Sequence, residues 1–279
     1  MKLSVLMSVY KSENPQYLDR SLQSIWTDQT LKPNQIVLIE DGPLGKELNK
    51  IIDKWKLHLS EKLYIVRNNE NIGLTKSLNR GLKVVTGQFI ARMDSDDIAH
   101  PLRFERQIKF LSTHPDVAVV GGSIQEFNDS CECLNIRHYP SDNIAVLRYI
   151  HKASPLAHPA VMMRKSIFDA GLSYNEQYRT SQDIALWFDV LCRGFKIANI
   201  NDIVLYFRRD DEVFKRRSKK KAINEFKIYI SGIHRLYGLF SWRYIYPVMR
   251  FAFRMVPQSI IKKIYGGRIR KKLLENNNQ

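Results

Sequence analysis

Four short apolar runs alternate with amphipathic stretches through the N-terminal third of the chain. That alternation constrains the fold more than any other feature of the sequence. Leu3–Tyr10, Gln35–Glu40, Leu63–Arg67 and Phe89–Met93 are dominated by Val, Ile, Leu and other apolar residues, the pattern of strands buried in a parallel sheet. Between them, Asn14–Thr27, Lys46–Leu59 and Leu74–Val85 place apolar residues at helical spacing. The alternation predicts an α/β unit on a Rossmann-like, mostly parallel central sheet flanked by helices. Ligands of such sheets bind outside the carboxyl ends of the strands. Asp41 follows the second run and Asp94 the fourth, so both fall at that edge.

The pattern continues less regularly. Arg103–Thr113 reads as a helix, and Val117–Phe127 as a strand pair broken at Gly121-Gly122. Ile144–His151 and Lys165–Ala170 read as short helices. Ile184–Arg193 is a helix ended by Gly194, and Ile203–Phe207 is a last strand. Cys131, Cys133 and Cys192 suggest no paired framework and read as reduced thiols. The apolar N-terminus is short and lacks a small-residue cleavage site, so it reads as a strand and not as a signal peptide.

Met93-Asp94-Ser95-Asp96-Asp97 concentrates three carboxylates at a strand end. Left alone they repel one another. A hard divalent cation, Mg²⁺ or Mn²⁺, relieves that repulsion and shares its remaining positions with phosphate oxygens. Such an ion stabilises charge on a diphosphate leaving group. A short Asp-x-Asp also occurs as a solvated turn or helix cap, and its place after a buried strand is what argues for the metal.

Five segments in order carry a resemblance. They are Ser8-Val9-Tyr10; Glu40-Asp41-Gly42; Asn71-Ile72-Gly73-Leu74 with Asn79-Arg80-Gly81; Met93 to Asp97 with Pro101 to Gln107; and Gln182-Asp183 with Leu186-Trp187. Over roughly residues 3–210 the chain resembles the family 2 glycosyltransferases, which have the GT-A fold. It is most similar in appearance to bacterial enzymes that build O-antigen or exopolysaccharide repeat units. The resemblance implies a nucleotide-sugar site in residues 1–100 and an acceptor side in 101–212. Ser8, Val9 and Tyr10 would line the base pocket, Asp41 would accept a hydrogen bond from uracil, and Asp94 would reach the ribose. Asp96, with Asp94, would hold Mn²⁺ or Mg²⁺, with Ser95 beside them. Lys76 lies where a basic residue faces the diphosphate, or is an exposed helix lysine.

On the acceptor side the resemblance implies that Asp183 is the general base, deprotonating the acceptor hydroxyl during inverting transfer. The family's Glu-Asp pair is Gln182-Asp183 here. Trp187, one helical turn on, is either a stacking surface for the acceptor sugar or a core residue. His158 precedes a strand expected beneath the acceptor site. Many relatives carry a Tyr-Arg-x-His segment whose His joins the metal. This chain reads Tyr206-Phe207-Arg208-Arg209, so Arg208, Arg216 or Arg217 is the candidate source of positive charge for the diphosphate.

The net charge of +16 is not evenly spread. Residues 213–279 hold 17 Lys+Arg against 2 Asp+Glu, leaving residues 1–212 at +1. This divides the chain into a catalytic domain at 1–212 and a basic segment at 213–279. The segment interleaves Lys and Arg with large apolar groups, and Pro247 and Pro257 are expected to break it into short amphipathic helices. Such helices read as binders of an anionic membrane surface. Nucleic acid is the competing partner, disfavoured because the apolar content is too high for a solvated basic arm.

The expectation is therefore a metal-dependent hexosyltransferase. It would use a UDP-sugar, galactose or glucose, and form a β-linkage to a lipid-diphosphate-linked sugar. It would sit peripherally on the cytoplasmic face of a bacterial inner membrane. A nucleotidyltransferase is the rival enzyme, but Tyr10-Lys11-Ser12-Glu13-Asn14 is not the Gly-rich phosphate loop it needs. A non-catalytic nucleic-acid-binding protein is the rival outside enzymes.

Overall fold

The computed structural model of the chain describes residues 1–130, 132–209 and 219–255. Strands β1 (Leu3–Val9), β2 (Gln35–Glu40), β3 (Leu63–Arg67) and β4 (Phe89–Asp94) alternate with helices α1 (Pro15–Ile25), α2 (Lys46–Leu59) and α3 (Leu74–Leu82). After β4 come β5 (Ile98–Ala99), α4 (Arg103–Thr113), β6 (Val117–Phe127), β7 (Cys133–Arg137), α5 (Asn143–Tyr149), β8 (Met162–Arg164), α6 (Ser166–Asp169), α7 (Gln182–Cys192) and β9 (Lys196–Arg208). Two further helices, α8 (Lys219–Tyr237) and α9 (Ile245–Met255), close the described chain.

Among the described residues the strands form one sheet in the order β3-β2-β1-β4-β8-β6-β9-β5, with β7 added on β6. The β3-β2-β1-β4 half is parallel throughout. The chain runs outward from β1 to β3 and then returns to place β4 on the other side of β1. This reversal opens a crevice at the carboxyl ends of β1 and β4, where Ser8 is paired in register with Asp94.

Each face of the sheet carries its own core. Val5, Met7, Val9, Ile36 and Leu38 pack with α1, α2 and α4 on one face. Leu6, Val37, Ile39 and Ile90 pack with α3, α7 and α8 on the other. Side chains alternate along a strand, so positions two beyond Leu6 and Ile39, and two and four beyond Ile90, continue the second face. These are Ser8, Asp41, Arg92 and Asp94. The same alternation that builds the core thus delivers a row of polar groups to one edge.

Three expectations need correction. Val117–Phe127 is one continuous strand. Its glycines permit close packing and make no turn: a Cβ on Gly121 would lie 2.1 Å from Asn199 Oδ1, and one on Gly122 2.7 Å from a Val204 methyl. The last strand is 13 residues long, not five, because β9 pairs along most of β6. Pro247 does not divide the tail. It sits in the first turn of α9, where a missing N–H breaks no helical bond. The break falls at Gly238, whose φ of 83° ends α8. Pro257, Arg216 and Arg217 lie outside the described residues.

Candidate active site

A cleft of about 670 Å³ lies at the switch point. Its walls include Ser8, Tyr10, Glu13, Tyr17, Asp41, Asn71, Gly73, Asp94, Ser95, Asp96, Asp129 and Arg208. Six of these, Ser8, Tyr10, Asp41, Asp94, Ser95 and Asp96, are donor-site residues expected from the sequence, and Arg208 is one of the three arginines considered for the diphosphate. Val9 and Lys76 do not line the cleft. Strand alternation turns the Val9 side chain into the core at 0% exposure, and only its carbonyl serves the site, accepting from Asp41 N–H at 2.8 Å. Lys76 is exposed on α3.

Asp41 organises the wall formed by the loop before α3. Its Oδ1 accepts from Ile72 N–H at 2.8 Å and from the Asn68 amide at 3.0 Å, and its Oδ2 accepts from Gly73 N–H at 3.0 Å. A carboxylate has roughly four acceptor positions, so about one remains for a ligand donor. Asn68 in turn donates to Ser77 Oγ at 2.9 Å and accepts from Arg80 at 2.7 Å. Gly42, at φ 90°, lets the chain turn against this loop: a Cβ there would meet Asn71 N at 2.7 Å. Glu40, beside Asp41, is spent on an ion pair with Arg67 of the neighbouring strand.

At the opposite wall, Asp94, Asp96 and Asp97 bring one oxygen each within 4.8 Å of one another. Burial pushes the Asp96 carboxyl up to about 7, aided by the charges of Asp94 and Glu13. Asp97 is buried at 1% exposure and raised well above the carboxylate range, first by burial and then by Asp94 and Asp96. One Asp97 oxygen accepts from Arg208 N–H at 2.8 Å, and the other has no partner. Crowded carboxylates held in this way suit a divalent cation, which would neutralise them. Asp94 and Asp96 face the cleft and would hold such an ion, while Asp97 braces the strand carrying Arg208.

Several groups, Asp129 among them, were missed in the sequence. Glu13, in the loop after β1, accepts a hydrogen bond from Ser95 Oγ. Tyr17 and Phe127 hold the Arg208 guanidinium between their rings, at 3.7 and 4.5 Å. Arg208 also donates to the Asp96 carbonyl at 3.0 Å and to Asp129 at 2.9 Å. Its charge is thus fixed at the cleft wall, beside the carboxylates. Another is Arg92, 2% exposed and ion-paired with Asp94, with Nε and Nη1 lacking partners. A position after a buried strand at the switch point was the available signal for Glu13. Charge inside an apolar run was the signal for Arg92.

Asp183 stands at the second position of α7, behind Ser181 in the left-handed conformation. Burial raises its carboxyl, and Arg92 pulls in the opposite direction. Arg92 therefore acts on both Asp94 and Asp183. The loop before α7 is tied to the donor side: Asn79 exchanges hydrogen bonds with the Tyr174 backbone at 2.8 and 3.0 Å, and Thr75 donates to the Tyr178 carbonyl at 2.7 Å.

Of the two readings of Trp187 the structure favours the core residue and not the stacking surface, because it is 0% exposed within the α7 packing. His158 lies in a single 3-10 turn at His158–Ala160, 8% exposed, with Nε2 2.8 Å from Tyr174 Oη. Burial and then Arg92 hold it neutral. It lines no part of the cleft and packs between Tyr174 and Trp187.

The model of Glycosyl transferase family 2 matches residues 4–172. The chain belongs to this family. Its relatives include the amylovoran biosynthesis glycosyltransferase AmsE of Erwinia amylovora, 32% identical over 94% of this chain and 97% of that one. Another is the UDP-Gal:alpha-D-GlcNAc-diphosphoundecaprenol beta-1,3-galactosyltransferase of Escherichia coli, 33% identical over 97% of both. Among solved structures, the mannosyltransferase PcManGT of Pyrobaculum calidifontis, in complex with GDP-Man and Mn²⁺, superposes with a TM-score of 0.64. It is 13% identical and covers 99% of this chain and 79% of that one, which places this family 2 glycosyltransferase in the GT-A fold.

Proposed function

We propose that this glycosyltransferase moves a hexose, galactose or glucose, from a UDP-sugar onto a sugar carried by a lipid diphosphate, forming a β-linkage with inversion. The observation carrying this reading is the convergence of Asp41, Asp94 and Asp96 on one cleft. It is supported by near full-length similarity to a galactosyltransferase whose name specifies UDP-Gal and a diphosphoundecaprenol acceptor.

In this reading the uridine sits against Ser8, Tyr10 and Asp41, where Asp41 keeps an acceptor position for the imide N–H. Asp94 and Asp96 face the diphosphate side. A divalent cation bound there supplies Lewis-acid charge to the leaving group. Arg208, fixed by its two aromatic neighbours, adds positive charge that needs no reorganisation. Asp183 accepts the acceptor hydroxyl proton as that oxygen attacks the anomeric carbon from the side opposite the diphosphate. The bond from the anomeric carbon to the diphosphate oxygen breaks, and UDP leaves with the electron pair. A base pKa raised by burial brings Asp183 closer to the working pH, which favours general-base catalysis.

The test incubates purified protein and Mn²⁺ with a panel of UDP-sugars and synthetic GlcNAc- or GalNAc-diphosphate-lipids. Transfer from one donor, abolished in Asp183→Asn, is the expected result. No transfer from any donor, with pyrophosphate-dependent nucleotide exchange instead, would overturn the reading in favour of a nucleotidyltransferase.

A further inference from the structure

Helix α9 is apolar on the wrong side. Pro247, Arg250, Phe251 and Arg254 face α8, where Arg250 and Arg254 both pair with Glu225 and Phe251 packs on Phe226. At 100° per residue the opposite face carries Ile245, Val248, Met249 and Phe253. All four are exposed, Met249 at 63%. The corner between α8 and α9 adds Leu239, Phe240 and Trp242, with Phe240 at 97% exposure. Trp242 is held in place along one edge by His151, with ring centroids 5.5 Å apart, and by Tyr246 at 5.9 Å. The corner and the outer face of α9 thus group seven exposed large apolar side chains on neighbouring elements, with Trp242 braced in place.

We propose that this corner and the outer face of α9 are a docking surface for an anionic lipid bilayer. Charge selects that occupant. Residues 213–279 carry 17 basic against 2 acidic side chains, and Arg148 and Lys152 are exposed on and just after α5, next to the His151 contact with the corner. Basic groups beside apolar and aromatic residues attract lipid headgroups while the apolar face enters the acyl boundary. Among the described residues no helix is long and apolar enough to cross a membrane. A self-associating patch needs no such charge excess, and like charge opposes the approach of a second copy.

The orientation gives the surface a use. Tyr229 of α8 packs against Phe188, and Arg235 pairs with Asp189, so α8 runs alongside α7 in the same direction. Lys221, near the start of α8, is close enough to act on the charge of Asp183. Helix α9 returns antiparallel, and its last turn reaches Glu225. The apolar face therefore extends from the Trp242 corner back toward the Asp183 end of α7, which on the transfer reading proposed above is the side a lipid-borne acceptor approaches.

The test is binding of the full chain to vesicles, which requires neither donor nor acceptor, so it can fail without touching the transfer reading. Vesicles of phosphatidylcholine alone are compared with equal parts phosphatidylcholine and phosphatidylglycerol, by co-sedimentation and by tryptophan emission. The proposal expects binding to the anionic vesicles that weakens with salt, with a blue shift that disappears in Trp242→Phe. Met249→Glu and Phe240→Ser should each weaken binding about tenfold or more, equivalent to about 1.4 kcal/mol. Their thermal melts should remain unchanged, because both side chains are exposed. Binding indifferent to both substitutions would overturn the proposal. So would a dimer that Met249→Glu disperses in the absence of vesicle binding, which would assign the face to a second copy. Retention on single-stranded nucleic acid but not on vesicles would assign the charge to that partner and also overturn it.

Discussion

Arg92 and Asp94 project from the same face of β4, two residues apart, and form an ion pair whose guanidinium is almost completely buried. Burying a cation is costly unless a partner offsets it, so the pair makes the acidic edge and the core interdependent. Asp94→Asn removes the partner and leaves Arg92 with its charge uncompensated. A loss of about 3 kcal/mol is expected, the low end for a broken buried pair because Asp94 is one-third exposed on its side chain. The urea midpoint measures it. Arg92→Lys should keep part of the stability that Arg92→Met loses, since a point charge replaces only the ion pair and not the guanidinium fork. Equal stability of Lys and Met variants would show that the charge at this position is irrelevant.

The carboxylate cluster predicts stabilisation by metal. Asp96 and Asp97 are both raised by burial and by neighbouring negative charge. A bound cation adds about 2.7 kcal/mol at a hundredfold excess over its dissociation constant. Thermal melts should therefore rise with Mn²⁺ for the wild type and stay flat for Asp96→Ala. An equal rise in both proteins would remove Asp96 from the ligand set.

Much of the fold up to α4 was legible because its physics is local. Gln35–Glu40, Lys46–Leu59, Leu63–Arg67 and Arg103–Thr113 are elements whose ends match the sequence reading. Double burial makes a parallel strand an unbroken apolar run, and one buried face gives a helix its period. What was not legible depends on distant partners. Met162–Arg164 is too short to show a period. Asp129 reaches the site only because β6 delivers its end beside Arg208. Trp187 and Asp183 share a helix face by spacing alone, yet the structure buries Trp187 completely while Asp183 keeps partial exposure. Spacing along a helix does not tell how deep each turn sinks into its neighbour.

Gly42 gives a test of the Asp41 clamp. An alanine there must hold φ near 90° and bring its Cβ within 2.7 Å of Asn71 N. The strain is about 1–3 kcal/mol. It falls on the loop whose N–H groups Asp41 grips, so the donor wall loosens before the core does. Gly42→Ala should raise KM for the donor about tenfold while lowering kcat much less, the signature of lost ground-state binding. A change in kcat alone would show that the loop serves the chemical step and not donor binding.

The pH profile separates Asp183 from the other carboxylates. Burial raises its pKa above the ordinary value of about 3.9. A general base works only when deprotonated, so transfer is full above the raised pKa and falls tenfold per pH unit below it. The acid limb of kcat should therefore lie above the position of an unperturbed aspartate. Asp183→Asn should abolish that limb together with most of the rate, about a hundredfold or more, while donor affinity measured by calorimetry stays close to wild type. Asp183→Glu keeps a carboxylate but shifts its oxygen, and should retain a limb at reduced rate. An acid limb of unchanged midpoint in Asp183→Asn would mean that another group carries the proton and that Asp183 only caps α7.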